Sequence, residues 1–225
     1  MKIKFLGTRG NIEPSAPYHS RHSGMLVDNT LLFDVGEKEF LKHNPAAVFI
    51  THLHPDHAFF DANGGASIDI PVYAPETSGQ CPGIHVLSQS QTTHGYQVTP
   101  IPTIHSKYVQ SQAYLIEKDR RVLYTGDMVW INKDYHPQLE GLDLVVTDGS
   151  FMRKGGMIRR DEEGHIYGHQ GIPNLTKLFE QFTDHIIFTH FGSWFYKDMA
   201  SARKMIRSLS KKKVEAAYDG WEIDI

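Results

Sequence analysis

Short apolar runs dominate the first half of the chain, and they predict a region that is mostly β-sheet. Residues 2–7, 24–28 and 30–36 have the length and composition of strands, and the Asp28-Asn29 pair predicts a turn that joins the last two into a hairpin. A short helix is expected at residues 37–43, before Pro45. Further strands are predicted at residues 46–50, 72–74, 96–101, 112–117, 121–124 and 142–148.

The hydrophobic period changes in the second half, where helices alternate with strands. The stretch IPNLTKLFEQF, residues 172–182, repeats apolar residues at helical spacing and tolerates its proline in the first turn. A strand at 185–190, a helix at 197–209 and closing strands at 214–217 and 221–225 follow. Three long segments, which we expect to be irregular and functional, connect these elements: residues 11–23, 77–95 and 151–171.

Composition narrows the class of protein without naming an activity. The chain has 225 residues, 40% of them hydrophobic, which fits one large domain over residues 1–225. Its net charge of −3, from 23 basic and 26 acidic residues, gives no global basic field for nucleic acid. A single cysteine, Cys81, forbids an intramolecular disulfide and fits a reducing compartment. With no signal-like segment and no apolar stretch long enough for a membrane, the predicted location is cytoplasmic.

The stretch THLHPDHAFF, residues 51–60, concentrates imidazole and carboxylate groups directly after a predicted strand. Residues two apart in an extended segment face the same way, so His52 and His54 can meet one metal ion. Pro55 suits the first position of a helix, whose turn would bring Asp56 and His57 beside that pair. The motif can therefore serve two ions, provided that the chain supplies more ligands elsewhere.

Three further residues meet that need. They are His105 in PTIHS, Asp127 in LYTGD and His190 in IIFTH. The last two follow apolar strand runs, where a rigid scaffold can direct a loop residue.

With these residues the chain resembles the metallo-β-lactamase superfamily, whose hallmark is His-x-His-x-Asp-His followed by a distant His, an Asp and a His. The resemblance implies an α+β fold, a four-layer αβ/βα sandwich. It also implies that two divalent ions are held by this chain. One ion would be bound by His52, His54 and His105, the other by Asp56, His57 and His190, with Asp127 bridging them. Zinc fits this ligand set best, and manganese or iron remain alternatives.

Such a site favours an anionic substrate. Two ions carry four positive charges, and Asp56, Asp127 and a bridging hydroxide remove three, which leaves about +1. The hydroxide can attack phosphorus in line while both ions stabilise the oxygens, although the same site can also open an ester, a thioester or a lactam. We therefore expect a metal-dependent hydrolase, with a phosphodiesterase favoured. Its substrate would be an anionic small molecule or a nucleotide or nucleic-acid phosphodiester.

The opening FLGTRGNIEPSAPYHSRHSGMLVD is similar to that of the ribonuclease Z and phosphodiesterase branch of the superfamily. In that branch a His and an acidic residue help protonate the leaving group. The resemblance implies these roles for His169 in GHQG and Asp148 in TDGSF, where Asp replaces the usual Glu, and His165 is a rival for the histidine role. The predicted catalytic residues are thus Asp56, His169 and Asp148.

Other possibilities fit less well. The chain has no long inserted arm such as ribonuclease Z uses to grip transfer RNA, and His54 replaces the Glu expected in an oxygen-reducing diiron relative. A glyoxalase-like thioesterase would carry an extra helical domain. A non-catalytic metal-bound sensor or binding module is an alternative of another class, although all seven ligands are intact. The basic stretches RKGGMIRR and ARKMIRSLSKKK can contact phosphates or simply solvate the surface. The sequence leaves a homodimer open.

Overall fold

The computed structural model describes residues 1–61 and 64–225, and its strands form two sheets and a separate hairpin. The strands are β1 Lys2–Gly7, β2 Gly24–Val27, β3 Leu31–Phe33, β4 Ala47–Phe49, β5 Val72–Ala74, β6 Ile84–Val86, β7 Gln91–Thr93, β8 Tyr96–Ile104, β9 Gln112–Glu117, β10 Arg121–Tyr124, β11 Trp130–Ile131, β12 Leu144–Asp148, β13 Met157–Arg160, β14 Ile166–His169, β15 His185–Thr189, β16 Lys213–Ala216 and β17 Glu222–Asp224. The helices are α1 Ile172–Phe179, α2 Ser193–Lys197 and α3 Met199–Arg207, with 3₁₀ helices at Lys38–His43, Phe59–Asp61 and Lys133–Leu139.

Each sheet is antiparallel on one side and parallel on the other. The first has the order β17-β1-β2-β3-β4-β5-β6, and the strands from β3 to β6 run parallel. The second has the order β11-β8-β9-β10-β12-β15-β16, with β7 paired to β8, and β10, β12, β15 and β16 run parallel. Side chains just beyond the carboxyl ends of these parallel strands therefore lie together at one edge of each sheet.

The main core lies between the two sheets. Phe33 and Phe49 of the first sheet meet Tyr114 of the second, with ring centroids 5.7 and 5.5 Å apart. Both outer faces are also apolar. The second sheet packs against α1 and α3, whereas the 3₁₀ helices that carry Phe40 and Phe60 cover the first. The structure confirms the predicted four-layer α+β sandwich, although one of its outer layers is built from 3₁₀ rather than α-helical turns.

Most predicted strands are present, but three helix predictions need correction. The helix expected at 37–43 is the 3₁₀ helix Lys38–His43. The helix expected at 197–209 is α3, Met199–Arg207, and it is preceded by the short helix α2, which was not predicted. Asp198 separates the two, because it leaves helical geometry and caps α3 by accepting a hydrogen bond from Ser201 N at 3.0 Å. The helix expected after Pro55 is a hydrogen-bonded turn, in which the amides of His57 and Ala58 donate to His54 O, followed by the 3₁₀ helix Phe59–Asp61.

Two of the three segments expected to be irregular contain strands. Residues 77–95 include β6 and β7, and residues 151–171 include the β13–β14 hairpin. These strands are short, and Ile84 and Gly168 are their only buried residues, so they lack the apolar alternation by which a strand is found in a sequence. In the described part of the chain, no helix has the length and apolar character needed to cross a membrane.

Candidate metal site

The predicted site residues come together where strands of both sheets end. His52, His54, Asp56 and His57 follow β4 in the first sheet. In the second sheet His105, Asp127 and His190 each come directly or shortly after β8, β10 and β15, and Asp148 is the last residue of β12. Because β10, β12 and β15 are parallel neighbours, Asp127, Asp148 and His190 lie at the same edge of the second sheet.

Three histidines form the first cluster. Nitrogen atoms of His52, His54 and His105 all lie within 4.8 Å of one another. His54 Nδ1 and His105 Nε2 are 3.3 Å apart, which matches the roughly 3.3–3.4 Å between two nitrogens at tetrahedral zinc with Zn–N bonds of about 2.0–2.1 Å. Burial lowers the pKa of His105 to about 4, so this imidazole is neutral and has a lone pair to offer.

A carboxylate and two histidines form the second cluster. Ligand atoms of Asp56, His57 and His190 also lie within 4.8 Å of one another. Asp56 Oδ2 is 2.8 Å from His190 Nε2 and 3.8 Å from His57 Nε2. This mixture of oxygen and nitrogen donors suits a divalent ion of borderline softness.

Asp127 lies between the two clusters, and its two oxygens face different sides. Oδ2 is 3.8 Å from Nε2 of both His52 and His105. Oδ1 is 3.4 Å from His57 Nε2 and 2.9 Å from His190 Nδ1. A carboxylate in this position can contact an ion in either cluster.

Two buried ring nitrogens support metal binding. Among the described residues, His52 Nε2 and His57 Nε2 have no hydrogen-bond partner, although a buried polar atom normally has one. Burial would lower the pKa of His57, but Asp127, Asp34 and Asp56 outweigh it and raise that pKa to about 10. Without metal, protons on the histidines offset the clustered carboxylates, and a bound cation would take over that role. The donor set therefore fits divalent ions.

Asp34, which the sequence pattern did not single out, orients one of these histidines. Its buried carboxylate accepts hydrogen bonds from His57 Nδ1 at 2.7 Å, Thr51 N at 2.7 Å and Tyr124 OH at 2.8 Å. The bond from Nδ1 fixes the imidazole tautomer and leaves Nε2 free to act as a ligand. The available signal was an Asp directly after the apolar run LLF, the same pattern that singled out Asp127.

His169 and Asp148 form a hydrogen-bonded pair beside the clusters. His169 Nδ1 donates to Asp148 Oδ2 at 2.8 Å, and the same nitrogen is 3.8 Å from Asp127 Oδ2. Burial lowers the pKa of His169, but Asp148 and Asp127 outweigh it and raise that pKa above its ordinary value. The rival His165 lies near the tip of the β13–β14 hairpin, where its side chain is 67% exposed and 3.2 Å from Asp161.

The hairpin also holds His105 in place. His105 Nδ1 donates to Gly168 O at 2.9 Å, while Gly168 N donates to His105 O at 2.6 Å. Gly168 has φ +116°, and a Cβ there would lie 2.0 Å from Met157 O, so only glycine fits. One hairpin therefore positions both His105 and His169.

A cavity of about 410 Å³ opens beside the clusters. Its polar side includes His54, Asp56, His105, Asp127, His169 and His190. Ile12, Phe151, Met157 and Trp194 contribute apolar surface. A substrate in this cavity can place one polar group against the clusters and an organic part against the apolar wall.

Known structures share this fold over the full length of the chain. The metallo-β-lactamase fold protein YhfI from Bacillus subtilis is 21% identical, with a TM-score of 0.70 over 99% of this chain and 98% of that chain. A diphosphatase from the PhnP family is 17% identical, with a TM-score of 0.69 over 100% and 97% of the two chains. Human tRNase Z, short form, is 18% identical, with a TM-score of 0.64 over 100% and 99%. No curated protein matches the sequence.

The sequence also matches a family model. Residues 35–191 match the β-lactamase superfamily domain. This range includes most of the strands that hold the site, together with His52, His54, Asp56, His57, His105, Asp127 and His190. The chain therefore belongs to the metallo-β-lactamase superfamily, and its general class is that of a metal-dependent hydrolase.

Proposed function

We propose that the protein is a phosphodiesterase that uses two divalent metal ions, with zinc as the preferred metal. In this proposal His52, His54 and His105 hold one ion, and Asp56, His57 and His190 hold the other. Asp127 bridges them, as the opposite orientations of its two oxygens allow. Bound there, the ions would supply a hydroxide nucleophile near neutral pH and stabilise negative charge on phosphate oxygens.

The observation that carries the proposal is the His169–Asp148 pair at the wall of the same cavity. Hydrolysis of a phosphodiester leaves an alkoxide, which needs a proton to depart. The proton on His169 Nδ1 is held by Asp148, so the proton on Nε2 is the one that a leaving-group oxygen can receive. Asp148 is itself fixed by hydrogen bonds from Ser150 N at 2.8 Å and Met128 N at 3.3 Å.

Two comparisons agree with a phosphate substrate. The similar structures include one named a diphosphatase and one named a tRNase Z. At 17% and 18% identity they show a shared fold, so they support the proposal only by showing that proteins with these names have this architecture. An ester, a thioester or a lactam remains the alternative substrate of the same site, and a non-catalytic metal-bound sensor is the alternative of another class.

A direct comparison of substrates tests the proposal. Metal-replete protein is assayed with bis(4-nitrophenyl) phosphate, a 4-nitrophenyl carboxylic ester, a thioester and a chromogenic lactam. We expect the phosphodiester to have the highest kcat/KM, and Asp127→Ala to remove that activity. Faster hydrolysis of any other substrate would replace the phosphodiesterase assignment. The absence of all four activities in protein with full metal content would favour the sensor.

A further inference from the structure

One face of the β13–β14 hairpin continues the wall of the cavity toward solvent. The pairing places Met157 opposite His169 and Arg159 opposite Tyr167. Alternate residues of a strand share a face, so all four side chains are on the same side of the hairpin. Met157 and His169 line the cavity. Arg159 and Tyr167 therefore lie two residues further out along their strands, about 7 Å from the cavity wall.

The side-chain contacts agree with that placement. Arg159 Nη2 is 3.7 Å from Met157 Sδ, which brings the guanidinium back toward the cavity. Arg160, the next residue, is on the opposite face, and its Nη1 donates to Gly164 O at 2.8 Å. The two arginines are thus neighbours in sequence but differ in their position relative to the cavity.

A lysine and two tyrosines extend the same face. Lys107, two residues after His105, has its Nζ 5.3 Å from the ring centre of Tyr167 and 4.8 Å from that of Tyr108. Tyr108 is 81% exposed. We call Lys107, Tyr108, Arg159 and Tyr167 the rim cluster. It combines two cations with two aromatic rings, the combination with which proteins bind single-stranded nucleic acid without a fixed sequence.

The acidic residues nearby are engaged mainly with one another and with backbone amides at the hairpin tip. Asp161, Glu162 and Glu163 occupy the hairpin tip, and the Asp161 carboxylate is engaged there by the amides of Glu163 and His165 at 3.1 and 2.9 Å. His165 Nδ1 is 3.2 Å from Asp161 and 3.4 Å from Glu163. Within the described residues neither Lys107 nor Arg159 forms an ion pair.

From this arrangement we propose that the rim cluster is a subsite for one nucleotide unit next to the scissile phosphate. Arg159 and Lys107 bind the neighbouring phosphate, and Tyr167 or Tyr108 stacks on the base. The inference rests on the proposed phosphodiesterase function and makes it more specific. The substrate class is a nucleic-acid strand or a dinucleotide, rather than a compact diester that fills only the cavity.

A kinetic comparison uses the two adjacent arginines. The substrates are 5′-phosphorylated dithymidylate, which can reach the rim cluster, and methyl 4-nitrophenyl phosphate, which cannot. The measured quantity is kcat/KM for the dinucleotide divided by kcat/KM for the small diester. We expect Arg159→Ala to lower this ratio by about tenfold or more, because a charge-assisted contact to the dinucleotide is lost. The matched control Arg160→Ala removes the same charge from the opposite face and should keep the wild-type ratio. An equal fall in both variants would make the effect one of net charge and overturn the subsite.

A binding measurement separates this inference from the proposed function. Fluorescein-labelled tetrathymidylate with phosphorothioate linkages is titrated into metal-loaded protein at several salt concentrations, and its anisotropy is followed. Loss of one phosphate contact should make the log–log salt slope shallower by about 0.7 in Arg159→Ala, while Arg160→Ala keeps the wild-type slope. If no diester is cleaved but the slopes differ in this way, the proposed function fails, and the rim cluster is a nucleic-acid binding site without a role in cleavage. If diesters are cleaved and the slopes of both variants match the wild type, the subsite is wrong and the phosphodiesterase remains.

Discussion

His57 donates a hydrogen bond from Nδ1 to Asp34 Oδ2 across 2.7 Å, and both side chains are buried. Asp34→Asn keeps the size of the side chain but removes the charge and turns one acceptor oxygen into an NH2 donor, so the side chain can no longer accept from both Thr51 N and His57 Nδ1. We expect metal affinity to fall about 10–100-fold. Competition with a chromophoric chelator measures this. The matched control is Asp28→Asn, since Asp28 accepts a hydrogen bond from Lys2 N outside the metal site. Equal affinities in both variants would remove Asp34 from metal binding.

The position of Asp127 between the two clusters predicts how metal content depends on single ligands. Wild-type protein should contain two ions per chain by elemental analysis after metal repletion and desalting. His52→Ala removes a donor from one cluster only and should mainly deplete that ion. Asp127→Ala removes a donor that faces both clusters, so it should lower the occupancy of both ions. Similar, mild losses in the two variants would contradict the bridging role, and one ion in the wild type would contradict a dinuclear site.

The His169–Asp148 pair predicts a dependence on the leaving group. A general acid typically contributes 10²–10⁴-fold, so His169→Ala should lower turnover by about that factor on a diester with an alkoxide leaving group. On a nitrophenolate diester, which needs no proton, the loss should be much smaller. His165→Ala is the control and should behave as wild type, because His165 is exposed at the hairpin tip. Loss of metal from His169→Ala would instead make His169 a ligand, a role that its closeness to Asp127, Asp148 and His190 allows.

A buried histidine away from the metal site predicts a loss of stability in acid. Thr8 Oγ1 donates to Asp219 at 2.7 Å and therefore accepts from His19 Nδ1 at 2.8 Å, and His19 Nε2 accepts from Arg203 at 2.6 Å. Burial and the Arg203 charge lower the pKa of His19 to about 4 from an ordinary 6.5. The neutral form is the folded one, so its contribution to stability is complete above pH 6.5 and is lost as the pH falls toward 4.

Denaturant unfolding of wild type and His19→Gln between pH 7 and 4 checks this. The free energy of unfolding should decrease more steeply with falling pH in the wild type. The difference in slope corresponds to at most one additional proton taken up on unfolding. His19→Gln should be less stable at pH 7, since it disturbs the chain of hydrogen bonds, and the two proteins should approach each other in acid. Parallel pH profiles would show that His19 is not the titrating group.

The sequence was sufficient to predict the family and the fold, and the reason is local. His52, His54 and Asp127 lie within a few residues of the ends of apolar strands, so the sequence shows both the scaffold and the polar group in one local pattern. The structure confirms the sandwich, and the family comparison confirms the superfamily. The ligand roles themselves stay predictions, although the geometry brings all seven residues together.

What the sequence did not reveal depends on contacts between distant segments. Asp34 reaches His57 because β3 and β4 are parallel neighbours, a pairing that no local pattern encodes. Gly168 is the one buried residue in the strands of the β13–β14 hairpin, and these strands are held by their own pairing and by the contact between Gly168 and His105. Hydrophobic periodicity detects burial, so it misses strands that are stabilised in this way.

The contact between Asp56 and His190 also constrains the order of events during folding, because it joins residues 134 positions apart in the chain. Contacts of such long range form late, since the entropy of closing the intervening loop has to be overcome first. On the ribosome, His52, His54, Asp56 and His57 emerge long before their partner on the second sheet. A complete metal cage is therefore assembled only after the second sheet has been synthesised and docked. The cluster of Asp56, His57 and His190 in particular cannot close until β15, which precedes His190, has joined the second sheet.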